Sequence, residues 1–77
     1  MVNTEALRRK IDESGYKMTF IAEKCGITYQ GLLNKINNVR EFKVSESGAL
    51  KDLLKLDDAT FNAIFFNYDV DGQSTAE

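Results

Sequence analysis

The chain has 77 residues, no His, no Pro, a single Cys and a net charge of −2. Without His there is no imidazole base, and a lone Cys can form neither an internal disulfide nor a zinc ligand set. Catalysis, bound metal and a cofactor are therefore not expected, and a chain of this length supports one small core of marginal stability.

The charge is unevenly placed. All ten basic residues lie within 1–55 against seven acidic ones, giving +3, while 56–77 carry five acids and no base. A basic body with an acidic end is compatible with binding to nucleic acid. Arg8, Arg9 and Lys10 interrupt the first apolar stretch, so neither a signal peptide nor a membrane span is expected, and a lone Cys favours the reducing cytoplasm.

Apolar residues recur at three- and four-residue steps, which predicts an all-helical chain. The first helix opens at Asn3 or Thr4 and runs to Ser14, with Leu7 and Ile11 inward and Gly15 as its stop. A second covers Met18 to Cys25, with Ile21, Ala22 and Cys25 on one face and Gly26 ending it. Thr28 caps a third over Tyr29 to Asn37, whose inward pair is Leu32 and Ile36. After a polar connection a fourth starts at Ser45 and spans Glu46 to Lys55, with Ala49, Leu50, Leu53 and Leu54 inside. Asp57 caps a fifth over Asp58 to Asn67. The organisation is thus a domain over 1–67 and an acidic, aperiodic tail over 68–77 expected to be disordered. The expected core is Leu7, Ile11, Ile21, Ala22, Cys25, Ile27, Leu32, Ile36, Leu50, Leu53 and Leu54.

The stretch Met18 to Asn37 carries the most information. Ala22 is small where two helices must approach closely, Gly26 suits a chain reversal at positive φ, and Ile27, Leu32 and Ile36 anchor the helix that follows. On these residues the chain, over about 4–67, resembles the lambda-repressor and Cro-like (XRE-type) helix-turn-helix family, and most closely short phage or prophage regulators. The resemblance implies a five-helix DNA-binding domain that acts as a transcriptional regulator or repressor on a double-stranded operator. It places base contacts on Thr28, Tyr29, Gln30, Leu33 and Asn34.

The residues give their own support to a reading role for the third helix. With Leu32 and Ile36 inward, Gln30 and Asn34 share the opposite face, and these are the two side chain types able to bond adenine N6 and N7 bidentately. Phosphate contacts are expected from Lys17, from the start of the second helix at Met18 and Thr19, and from Lys35, Arg40 and Lys43. Met18 stands where relatives often carry a phosphate-binding Gln, Phe20 and Leu33 are apolar where many are polar, and Gly31 sits inside the third helix. Those departures keep open a second reading, the same fold used as a protein–protein interaction module such as an antirepressor.

Three further features remain. Phe61, Ile64, Phe65 and Tyr68 form one apolar stripe of the fifth helix, with Ala59, Ala63 and Phe66 on an adjoining face. That girth predicts a homodimer with Ala63 and Phe66 at the interface. Cys25 falls on a buried face and reads as core. Residues 67–72 imitate the start of a calcium loop, but no acid follows at the required twelfth position, so calcium is not expected.

Overall fold

The computed structural model describes residues 1–66. Among them are five helices and no strand: α1 (Thr4–Ser14), α2 (Met18–Cys25), α3 (Tyr29–Ile36), α4 (Val44–Leu54) and α5 (Asp58–Phe65). Each boundary has a local cause. The Asn3 side chain accepts the Ala6 N–H to open α1, Thr28 accepts the Gly31 N–H to open α3, and Asp57 accepts the Thr60 N–H to open α5. Gly15 and Gly26 end α1 and α2 at φ of 77° and 75°, the left-handed conformation that side chains resist.

α4 begins two residues before the expected start. Lys43 is its cap residue, and Glu46 reaches back to accept the Lys43 N–H at 2.9 Å. This is the return half of a capping box, and Lys at the cap gives no signal of its own. At the other end, α3 and α5 stop at Ile36 and Phe65, each short of the expected end.

The core gathers Leu7 and Ile11 of α1, Ile21 and Ala22 of α2, Leu32 and Ile36 of α3, Leu50 of α4, and Ile64 and Phe65 of α5. Cys25, Ile27, Leu53 and Leu54, expected inside, are only partly buried against it. Val2, Leu56 and Phe42 join it from segments that periodicity had left outside. Val2 is held by Asn38, whose side chain accepts its N–H at 2.8 Å and donates to its carbonyl at 3.0 Å. Asn3 N–H also donates to the Ile64 carbonyl at 2.7 Å, so the N-terminal strap ties α5 to the loop after α3. Asn38 itself sits at φ 65°, a conformation Asn tolerates better than most residues. Tyr68 and the rest of the tail lie outside the described residues.

Candidate nucleic-acid interface

α2 and α3 pack together through the turn 26–28. Gly26 N–H donates to the Glu23 carbonyl and Ile27 N–H to the Ala22 carbonyl, both at 3.0 Å, which closes the end of α2 as the chain turns. Buried Ala22 lets the helices approach, and Leu32 and Ile36, with no exposed surface, fix which face of α3 points inward.

The outward face carries the residues singled out from the sequence. Thr28, Tyr29 and Gln30 are exposed, and Leu33 and Asn34 half-buried. The Gln30 amide donates to the Asn34 side-chain oxygen at 3.1 Å. The two amides are thus aligned as a pair four residues apart, with donors and acceptors left to face outward. Thr28 spends one lone pair on its cap bond to Gly31, and its hydroxyl keeps donor capacity.

The expected phosphate set divides. Lys17 and Thr19 are exposed at the start of α2, where Lys17 caps the helix with no side-chain hydrogen bond. The first amides of α2 are therefore not occupied by a cap side chain, and they carry the positive end of the helix dipole. Met18 differs in kind: its side chain packs against the core, which leaves its backbone amide as the group on offer. Arg40 and Lys43 are exposed, and Arg40 is set close to α3 by its N–H bond to the Asn34 carbonyl at 3.2 Å.

Lys35 is corrected by its environment. It is 9% exposed, and its ammonium bonds the carboxylate of Glu46, itself 5% exposed, at 2.5 Å. A cation held inside by a buried carboxylate is not on offer to a phosphate. Burial pushes the Glu46 carboxyl upward, but the Lys35 bond, the Lys43 amide and both positive charges outweigh it and hold the group below the usual carboxylate range. Charge at α3 +6 could be read from the sequence; that Lys35 faces α4 depended on where α4 begins.

Cys25 lies beside this pair, its thiol 3.9 Å from the Glu46 carbonyl. Burial pushes the thiol up, the Glu46 charge adds to that and Lys35 opposes it, so the reactive thiolate is disfavoured. Sequence reasoning also missed a surface feature at and just before α2. Tyr16 and Phe20 stack with ring centres 5.1 Å apart, and the Lys24 ammonium lies 5.4 Å from the Phe20 ring centre. Phe20 thus forms part of an aromatic–cationic surface on α2.

On α5, Ile64 and Phe65 face the core while Ala59 and Ala63 are exposed and Phe66 is 54% exposed, its ring edge-on to Phe61. Among the described residues no cluster of potential metal ligands occurs and no helix is long and apolar enough to cross a membrane. Comparison of the chain with protein families, curated proteins and solved structures gave no match.

Proposed function

We propose that this chain is a cytoplasmic, non-catalytic DNA-binding regulator of the lambda-repressor and Cro-like helix-turn-helix type. In this reading α2 and α3 are the motif, and α3 reads the major groove of an operator, as in phage and prophage regulators. The observation that carries it is the Gln30–Asn34 pair: two amides side by side on the outward face of a short, well-anchored helix, chemically matched to adenine. Lys17, the amides of Met18 and Thr19, Arg40 and Lys43 would neutralise or bond phosphates around it. The exposed face of α5, with Ala63 and Phe66, supports a homodimer that places two such helices one DNA turn apart, about 34 Å.

The test is selection from a random duplex library followed by anisotropy titration of the recovered sequence at two salt concentrations. The wild type should enrich an A·T-containing half-site and lose affinity steeply with salt. A Gln30→Ala/Asn34→Ala variant should stay folded and enrich nothing. Failure of the wild type to enrich any sequence rejects the reading.

A further inference from the structure

A groove of about 450 Å³ lies between the N-terminal strap, the loop after α3, α4 and α5. Its floor is aromatic and aliphatic: Val2, Phe42, Phe61 and Phe65, with Phe65 packed edge-on to Phe42 at 5.4 Å and tilted against Phe61 at 4.9 Å. Met1 and Val44 line it while 79% and 89% exposed. Large apolar residues gathered along one concave surface mark a place where something binds. Two cations, Arg40 and Lys51, stand along it with one acid, Glu41. Lys51 leans over the Phe61 ring and bonds the exposed Asp58.

The chain itself arrives at this groove. Phe66, the last described residue, lines it. The residues that follow read Asn67-Tyr68-Asp69-Val70-Asp71. In an extended segment successive side chains point to opposite sides, so Tyr68 and Val70 share one face and Asp69 and Asp71 the other. An apolar face with an acidic back matches an apolar floor flanked by the exposed Arg40 and by the Lys51 ammonium, which is shared with the exposed Asp58. Reach is no obstacle, since five extended residues cover about 16 Å from the rim where they begin.

We propose that residues 67–71 dock in the groove of their own chain, with Tyr68 and Val70 on the Phe42–Phe61–Phe65 floor and Asp69 and Asp71 toward Arg40 and Lys51. The proposal is independent of DNA binding. It makes 67–71 part of the domain and restricts the aperiodic tail to the residues beyond.

The experiment uses the full chain with isotope labels. Nuclear Overhauser contacts are expected between the Val70 methyls and the rings of Phe42 and Phe61 within one molecule. A Tyr68→Ser/Val70→Ser variant should lose them, shift the Val44, Gly48 and Lys51 amide signals and melt at least about 4 °C lower. Asp69→Asn/Asp71→Asn should lower Tm at low salt and match the wild type at high salt, because screening removes the same attraction. Absence of the Val70 contacts, or an unchanged Tm in the double Ser variant, overturns the proposal. So do contacts seen only between molecules in a mixed-label sample, which would give the groove to a second copy.

Discussion

The Lys35 ammonium and the Glu46 carboxylate meet at 2.5 Å between α3 and α4, both nearly excluded from solvent. The same carboxylate accepts the Lys43 N–H, so one acid fixes the orientation of α3 and the first turn of α4 together. Removing one partner of such a pair leaves an uncompensated buried charge. Lys35→Met should therefore cost about 3–5 kcal/mol, enough to unfold much of the population of a domain this small. Lys35→Met/Glu46→Gln should recover a large part of that loss, because a neutral amide oxygen can still take the Lys43 N–H. Urea unfolding of the wild type and both variants measures it. Equal losses in the single and double variants would mean the pair is not the reason Lys35→Met fails.

The pair also sets a pH dependence with a definite sign. Glu46 is held below its unfolded value, so its contribution to stability is present above that value and is lost as pH falls through the lower, folded one. Asp57 acts in the same direction, its carboxyl lowered by its hydrogen bonds with Thr60. Urea midpoints should be steady from about pH 7 to pH 5 and fall progressively below about pH 4.5. In Lys35→Met/Glu46→Gln, which lacks the titrating carboxylate without stranding a buried charge, the acid limb should be shallower than in the wild type. An identical limb would remove Glu46 as its source.

Two helical glycines predict opposite outcomes for one substitution. A Cβ at Gly31 would stand 3.0 Å from the Thr28 hydroxyl oxygen, the atom that caps α3, whereas a Cβ at Gly48 meets nothing within 4 Å. Gly48→Ala should stabilise by about 0.5–1 kcal/mol through helix propensity and the lower entropy of the unfolded chain. At Gly31 the same gain is set against disturbance of a cap worth about 0.5–2 kcal/mol, so Gly31→Ala should be neutral or destabilising. Thermal unfolding of the two variants gives the comparison, and a Gly31→Ala gain as large as that of Gly48→Ala would contradict the cap argument.

What the sequence disclosed was whatever rests on local chemistry. Asn3, Thr28 and Asp57 as caps, Gly15 and Gly26 as stops, and the inward direction of Leu32 and Ile36 all follow from neighbours a few residues away. The outward pairing of Gln30 with Asn34 follows from the same periodicity. Lys35 was misread because its partner lies on another helix, and an isolated Lys on a helix looks like a solvated charge until the facing residue is known. Val2 and Phe42 were hidden for a related reason. Neither belongs to a periodic segment, and each is drawn to the core by a long-range bond or ring contact, Val2 through Asn38 and the half-buried Phe42 through Phe65.

If α3 reads DNA, surface cations and the buried one should separate cleanly. Lys17→Ala and Arg40→Ala should each weaken binding to all duplexes alike and reduce the salt slope by about one unit. The Lys35→Met/Glu46→Gln variant, once shown to be folded, should leave that slope unchanged, because Lys35 already neutralises Glu46. Anisotropy titrations over a salt series decide it. A slope reduced equally by all three variants would return Lys35 to the phosphate set.

The final prediction concerns assembly. A single short helix meets too few base pairs to compete with a genome's non-specific sites, and a two-fold dimer doubles the contacts. The exposed α5 face offers Ala63 as a small residue permitting close approach and Phe66 as a large one beside it. Burying the exposed part of Phe66 against a partner could contribute up to about 1.5–3 kcal/mol per subunit. Phe66→Asp should then give a folded monomer whose operator affinity falls by at least tenfold. Phe66 also touches Phe61, so Ala63→Glu serves as the second variant, because Ala63 lies outside the groove. Sedimentation of the wild type and both variants at tens of micromolar, without DNA, is the measurement. Dimeric wild type and monomeric variants are expected, and a wild type that sediments as a monomer would confine dimerisation to the operator itself.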